Sequence, residues 1–246
     1  MFAVFFPDHC RLCEHPLEGF TRAPVCAACL DLLEPADSAP VCSRCGQACE
    51  AGQSVRDAAG CVRCRALPSP FDQVCSFGIY EGDLRRLIHL LKYERMLPLA
   101  RALAGKMRPL LPQFGPIDLF VPVPLYWTRQ WRRGFNQSAV LARHLAALNH
   151  VAFRPRALRR VRRTATQAGL SDVERVENVR GAFAAPANSL RGRRVLLVDD
   201  VLTTGATLAA AAAALRTAGA AYVGALTLAR AVRQTRSQAW LPPACR

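Results

Sequence analysis

Apolar runs alternate with helical patterns along most of the chain after residue 70. In the helical stretches, apolar residues recur at spacings of three and four, whereas the shorter runs are continuously apolar, as buried strands are. Strands are predicted at 73–80, 119–122, 195–199 and 222–228, and helices at 84–94, 97–110, 136–148 and 205–218. This alternation favours an α/β fold with a parallel, doubly wound sheet, in which ligands bind beyond the carboxyl ends of the strands.

Cysteines, and not apolar periodicity, organise the amino-terminal part of the chain. Four C-x-x-C pairs lie within residues 10–64, which hold nine of the 11 cysteines. The two sulfurs of such a pair converge on one ion, and two pairs complete the four-sulfur tetrahedron that zinc prefers. We therefore predict two structural zinc ions, with the ligands Cys10, Cys13, Cys26, Cys29, Cys42, Cys45, Cys61 and Cys64.

The spacing of these pairs suits two consecutive zinc ribbons, although interleaved pairing stays open. A helical turn is predicted at 27–34, and the module has too little apolar sequence to fold without metal. A catalytic or redox role would need an open coordination position or unligated thiols. Eight evenly paired cysteines leave neither, which favours closed structural sites.

A proline-rich linker at 66–70 divides the chain into two predicted domains, a double zinc ribbon over 1–70 and an α/β domain over 71–246. Residues 1–75 carry six arginines and nine acidic residues, although the whole chain has a net charge of +15. The basic charge therefore lies in the second domain, and the two domains are expected to have different partners.

Two apolar stretches were considered as membrane segments. The one before Pro7 is too short for a signal-peptide core, and the alanine-rich run at 206–215 is shorter than the roughly 18 apolar residues that span a bilayer. We expect a soluble cytoplasmic protein without membrane insertion.

Residues 194–208 carry the most informative chemistry in the chain. Four apolar residues are followed by Asp199 and Asp200, and then by a turn of small and hydroxyl residues at 203–207 that leads into a helix. Backbone N–H groups in such a turn can bind a phosphate, and neighbouring carboxylates can accept hydrogen bonds from vicinal hydroxyls. The segment predicts a sugar-phosphate site. It matches neither a Walker loop nor the dinucleotide fingerprint.

The sequence VLLVDDVLTTGATL resembles the phosphoribosyl-diphosphate (PRPP) loop of type I phosphoribosyltransferases. Together with the cysteine module and the segment VPVPLYWTRQWRRGFNQS at 121–138, it is similar to the ComF/GntX family, which is associated with competence for DNA uptake in bacteria. The resemblance covers nearly the whole chain. It implies a type I phosphoribosyltransferase domain preceded by a small double zinc-ribbon module.

The resemblance also implies roles for individual residues. Asp199 and Asp200 would bind the ribose 2- and 3-hydroxyls of PRPP, with magnesium bridging sugar and diphosphate oxygens. The 5-phosphate would be held by Thr203, Thr204, Gly205, Ala206 and Thr207. Arg129 and Arg133 are the favoured ligands of the leaving diphosphate. Purine-using relatives can carry an acid where this chain has Thr203, so a purine acceptor is not implied.

Arginines and aromatic residues raise alternatives around this site. Six arginines at 154–163, with the segment that follows, resemble the loop that closes over PRPP, although such a run can equally be a solvated stretch. Trp127, Trp131 and Phe135 could stack on bases of single-stranded DNA or cover the core. Lys92 is a weak candidate for a phosphate contact.

Two functions are compatible with these patterns. The leading one is a phosphoribosyltransferase that transfers a 5-phosphoribosyl group to an unidentified acceptor and releases diphosphate, acting in DNA uptake. The alternative is a non-catalytic PRPP sensor or single-stranded-DNA-binding scaffold, with DNA or DNA-processing proteins as partners.

Overall fold

The computed structural model describes residues 9–17, 23–35, 42–46, 61, 64–65, 71–164 and 172–231. A five-stranded parallel sheet forms its centre, in the spatial order β1-β7-β6-β2-β3, and a two-stranded antiparallel sheet, β4-β5, lies apart from it. The strands are β1 (Gln73–Ile79), β2 (Leu119–Pro122), β3 (Ala152–Phe153), β4 (Arg159–Arg160), β5 (Phe183–Ala184), β6 (Arg194–Leu202) and β7 (Tyr222–Arg230). The prediction of a parallel α/β sheet is confirmed.

Helices cover both faces of the sheet. In chain order they are α1 (Ala27–Asp31), α2 (Gly82–Tyr93), α3 (Leu99–Met107), a 3-10 helix (Arg108–Phe114), α4 (Trp127–Arg133), α5 (Gln137–Asn149), α6 (Asp172–Val179) and α7 (Ala206–Thr217). Alternate residues of β6 point to opposite faces. Leu196 and Val198 join the core under α2, α3 and α5, whereas Val195 and Leu197 join the core under α7.

The structure extends or divides several predicted elements. Strand β6 continues beyond the acidic pair to Leu202, because β7 also runs on and pairs with it as far as Arg230. The predicted end of this strand, at Asp199, was therefore three residues too early. The predicted helix 97–110 becomes α3 followed by the 3-10 helix, which contains Pro112. Proline removes an N–H donor and clashes with the preceding α-helical turn.

The cysteine module packs against the α/β domain through both of its halves. The Arg86 side chain donates to the backbone carbonyls of Arg11 and Leu12. The backbone N–H of Val74, on edge strand β1, donates to the carbonyl of Ser43 at 2.7 Å. The predicted linker at 66–70 lies outside the described residues. Within the parts of the chain described above, no helix combines the length and apolarity needed to cross a membrane.

Candidate functional site

A cleft of about 300 Å³ opens beyond the carboxyl ends of the central strands. The acidic pair on β6 and the 203–207 turn that follows β6 line it, as does the segment after β2, which contributes Val123, Pro124 and Leu125. Parallel strands bring these segments to one edge of the sheet, as the doubly wound fold requires.

Two different neighbours hold the acidic pair in place. The Ser138 hydroxyl, near the start of α5, donates to Asp199 Oδ1 at 2.7 Å. Lys92, in the last turn of α2, forms an ion pair with Asp200, with Nζ 2.9 Å from Oδ2. Asp200 continues the row of β6 residues that faces α2, which explains why a helix from the first βα unit reaches it.

The two carboxylates repel each other in this partly dry site. Burial and the neighbouring charge of Asp200 raise the pKa of Asp199 to about 7, although the Ser138 hydroxyl opposes the shift. For Lys92, burial acts to lower the pKa, but the charge of Asp200 outweighs it and raises that pKa. The cleft therefore holds a carboxyl group that changes its charge near neutral pH.

The turn at 203–207 enters helix α7 through a left-handed residue. Gly205 is the N-cap of α7, with φ +80°, a conformation that glycine adopts without strain. Thr203, Gly205 and Thr207 line the cleft. The backbone N–H of Ala206 is 3.5 Å from Thr204 Oγ1. The amino terminus of α7 faces the cleft with its positive dipole end, an arrangement that suits an anion.

The cleft also contains arginines. Arg129, on α4, lines it together with Arg160, on strand β4. Arg133 does not line it; its guanidinium donates to Gln137 Oε1 at 2.6 Å and lies 5.4 Å from the centroid of the Tyr93 ring. Sequence reasoning thus named one arginine that lines the cleft and one that supports its wall through Gln137.

Arg160 illustrates how positive charge accumulates beside the acidic pair. Burial and the charge of Arg129 lower the pKa of its guanidinium. Its Nε is buried without a hydrogen-bond partner, while its other end donates to Thr164 Oγ1. An adjoining cavity of about 440 Å³ shares both arginines and is also lined by Arg132 and Arg163. Such a concentration of cations favours an anionic ligand.

Sequence reasoning did not single out three residues that the fold brings to the cleft. Ser138 had a detectable signal, because it lies at the second position of a helix that begins beside the cleft. Tyr80, directly after β1, had none beyond its place as the last residue of a predicted strand. Arg160 was one of six arginines in its run, and only the pairing of β4 with β5 distinguishes it from the others.

The eight paired cysteines form two compact groups. The first tetrad is Cys10, Cys13, Cys26 and Cys29, and the second is Cys42, Cys45, Cys61 and Cys64. All four sulfurs of each tetrad lie within 4.8 Å of one another. Three sulfur pairs within the tetrads are 3.7 to 3.9 Å apart, which matches the spacing of about 3.8 Å expected for four thiolates that each lie about 2.3 Å from a zinc ion. The consecutive pairing, preferred over the interleaved one, is the arrangement that the fold adopts.

Backbone donors favour the thiolate form of one cysteine in each tetrad, whereas burial raises the pKa of Cys29 in the first tetrad and that of Cys64, to about 11, in the second. Burial acts to raise the pKa of the Cys10 thiol, but N–H groups from the surrounding backbone outweigh it and lower that pKa to about 6. Cys42 shows the same balance, with its pKa lowered to about 7. The Cys26 and Cys61 N–H groups lie 3.4 and 3.3 Å from the two sulfurs. These sites fit zinc, because a metal-binding cysteine must lose its proton.

A family model described as the phosphoribosyl transferase domain matches residues 132–242. The DNA utilization protein YhgH of Escherichia coli (strain K12) is 36% identical over 184 residues, which cover 69% of this chain and 77% of that protein. Competence protein F of Haemophilus influenzae is 35% identical over 182 residues, covering 71% of this chain and 80% of that protein. The chain belongs to the ComF family.

A solved structure is similar to part of this ComF family member. It is a glutamine PRPP amidotransferase from Bacillus subtilis, complexed with ADP and GMP, with 25% sequence identity and a TM-score of 0.36. The similarity covers 52% of this chain and 26% of that chain.

Helix α4 gives this ComF family member an exposed aromatic surface beside the cleft. Trp127 is 66% exposed and Trp131 is 83% exposed. Phe135 is half-buried and packs against the core. Of the two interpretations left open for these aromatics, core packing therefore applies to Phe135 and surface exposure to the tryptophans.

Proposed function

We propose that this chain binds PRPP with magnesium in the cleft and transfers its 5-phosphoribosyl group to an acceptor, releasing diphosphate. The observation that supports this function is the convergence of an acidic pair, a glycine-containing turn and two arginines on one cleft of about 300 Å³. The turn suits the phosphate, the acidic pair suits the ribose hydroxyls, and the arginines suit the diphosphate.

The acidic pair and the turn would bind the sugar phosphate. Ionised Asp199 and Asp200 accept hydrogen bonds from the ribose 2- and 3-hydroxyls, and Ser138 fixes the orientation of the first carboxylate. The 5-phosphate lies against the 203–207 turn, where the amino terminus of α7 favours negative charge. Magnesium bound with PRPP would be held beside the Asp199 and Asp200 carboxylates and would supply positive charge that stabilises the diphosphate.

Transfer breaks the bond between ribose C1 and the diphosphate oxygen and forms a bond from C1 to the acceptor. The electron pair leaves with the diphosphate. Arg129 and Arg160, which line the cleft, would stabilise that charge, because fixed cations stabilise a leaving group more in a partly dry site than in water. The acceptor's proton passes to solvent or to a basic group of the acceptor itself.

The acidic pair provides the test. Asp199→Asn combined with Asp200→Asn should weaken PRPP binding at least about tenfold in calorimetric titration, because neutral amides accept hydroxyl hydrogen bonds less strongly than carboxylates. Asp83→Asn is the control, since this carboxylate is exposed and pairs only with Arg86 on the same helix among the described residues. Unchanged PRPP affinity in the double variant would refute the site. Diphosphate release, measured with candidate bases, amines and single-stranded DNA, would then distinguish an enzyme from a PRPP sensor.

A second candidate function is single-stranded DNA binding, in keeping with relatives named for competence and DNA utilization. The exposed Trp127 and Trp131 support it, because they share α4 with three arginines, and bases stack on such rings while cations contact the backbone. This interpretation places α4 at a partner surface of the protein.

Binding of a fluorescent oligothymidylate tests this second function. Stacking of one base is worth about 1–3 kcal/mol, so Trp131→Ala should weaken binding about fivefold or more. Leu32→Ala is the control, because Leu32 is a comparably exposed apolar residue, 79% exposed, on the cysteine module. Affinity should also fall steeply with salt. Equal affinity in the two variants would remove α4 as the DNA surface.

A further inference from the structure

The Cys42 knuckle, which contributes half of the second tetrad, packs directly onto β6. Gly46 closes this knuckle, donating its N–H to the Cys42 carbonyl at 2.8 Å. It is buried, with φ +69°, and a Cβ at this position would lie 2.7 Å from Leu202 Cδ2 and 2.9 Å from Val74 Cγ1. Real Cβ atoms do not approach neighbouring atoms so closely, so only glycine fits without a shift of these side chains.

The Cys10 knuckle of the first tetrad offers an internal comparison. Glu14 occupies the position equivalent to Gly46, with φ +62°, and donates its N–H to the Cys10 carbonyl at 2.9 Å. Glu14 is exposed. The left-handed conformation of the knuckle therefore does not by itself require glycine. The close approach to Leu202 and Val74 does.

Leu202 connects the Cys42 knuckle with the 203–207 turn. It is the last residue of β6, is 2% exposed and directly precedes Thr203. A Cβ built on Gly205 would lie 3.6 Å from Leu202 Cδ1, so the other methyl group of Leu202 lies against the turn. One side chain is thus held between the second tetrad and the amino terminus of α7.

We propose that the second tetrad positions the 203–207 turn through the contact between Gly46 and Leu202, so that metal bound there supports phosphate binding. This inference rests on the proposed function, because it takes the ligand of the turn to be a phosphate. Close-packed interiors transmit displacements, so a shift of the knuckle moves Leu202 and with it the turn. The first tetrad lies against α2 instead, through Arg86, and is not expected to have this effect.

A matched pair of knuckle variants tests the proposal in the zinc-loaded full chain. Gly46→Ala adds a methyl group against Leu202, whereas Glu14→Ala changes the equivalent, exposed position. We expect Gly46→Ala to bind inorganic phosphate about fivefold or more weakly in calorimetric titration, which is the lower range of coupling between sites. Glu14→Ala should bind as the wild type does. Elemental analysis checks that both variants keep two zinc ions per chain.

A rescue variant separates direct contact from general destabilisation. Leu202→Val removes one methylene and makes room for the added methyl, so the Gly46→Ala, Leu202→Val double variant should recover phosphate affinity relative to Gly46→Ala. If Gly46→Ala does not fold, Leu202→Val alone opens a gap at the contact and should weaken phosphate binding with both zinc ions retained. Affinities that do not change in either variant would overturn the proposal.

Hydrogen exchange makes failure of this inference distinguishable from failure of the proposed function. Amides at 203–207 should exchange faster in Gly46→Ala than in Glu14→Ala, whether or not a ligand binds. If the wild type binds phosphate and the two variants bind it with the same affinity as each other, the coupling is refuted but the phosphate site is not. A wild type that binds neither phosphate nor ribose 5-phosphate refutes the phosphate site, and equal exchange at 203–207 then refutes the coupling as well.

Discussion

Replacing Lys92 by methionine should destabilise the protein in a pH-dependent way. Lys92 Nζ is 2.9 Å from Asp200 Oδ2, and the two side chains are only 16% and 7% exposed. At an effective dielectric constant of about 20, opposite charges roughly 3 Å apart attract by about 5 kcal/mol. Part of that attraction offsets the cost of removing both charges from water. Losing one partner of such a pair typically costs about 3–5 kcal/mol, because the other charge stays buried alone.

We expect Lys92→Met to lower the free energy of unfolding by about 4 kcal/mol at pH 8. The loss should shrink to at most about 2 kcal/mol at pH 5.5, because protonating a carboxyl group with an ordinary pKa of about 3.9 costs no more than that. In the variant, the negative charge left at this buried position has no countercharge, so the penalty is present at high pH and is relieved as pH falls. Lys92 keeps its charge at both pH values in the wild type, since its own pKa is raised.

Urea unfolding of the zinc-loaded protein at the two pH values measures this effect. Lys106→Met is the control, because the only other lysine lies 3.7 Å from the 82% exposed Asp31 carboxylate and should contribute less than about 1 kcal/mol. Adding Asp200→Asn to Lys92→Met should restore part of the stability by removing the lone charge. A loss no larger than that of Lys106→Met, or one that does not shrink at pH 5.5, would refute the reasoning.

Three further outcomes are expected. Elemental analysis should find two zinc ions per chain, falling to one in Cys26→Ser and staying at two in Cys75→Ser, whose thiol lies outside both tetrads. Affinity for ribose 5-phosphate, relative to inorganic phosphate, should rise between pH 6 and pH 8, because Asp199, with its pKa raised to about 7, gains its charge over that range; a constant ratio would contradict this. Gly205→Ala should cost about 1 kcal/mol of stability and weaken phosphate binding, since alanine is strained at φ +80°, whereas Gly105→Ala, within helix α3, should be stabilising by up to about 1 kcal/mol.

The sheet and its acidic pair could be predicted because their signals are local. Strand β2 has the predicted bounds. All four of its residues are buried, which agrees with the continuous apolar run from which it was predicted. The position of Asp199 and Asp200 at the ligand-binding edge follows from parallel strand order, which the alternation of elements already indicates. The end of β6 was harder to predict, because its last residues adopt a strand conformation only through pairing with β7.

Contacts between segments that are distant in the chain could not be predicted from the sequence. Lys92 and Asp200 are separated by more than 100 residues, and only the tertiary fold brings α2 and β6 close enough for them to pair. Strands β4 and β5 have two residues each, too few to show any periodicity, so the place of Arg160 in the cleft had no sequence signal. Nothing in the sequence marks Gly46 as a constrained position either, because it is the neighbouring Leu202 side chain that leaves no room for a Cβ there.

The order of the cysteines along the chain has a consequence for biosynthesis. All four ligands of the first tetrad are present once residue 29 has left the ribosome, and those of the second once residue 64 has. Each metal site can therefore assemble on the nascent chain before any strand of the sheet has emerged from the ribosome. The Cys42 knuckle, however, contacts Leu202, which is synthesised much later. The module that carries the second tetrad can therefore be complete before Leu202, the residue that it contacts, has been synthesised.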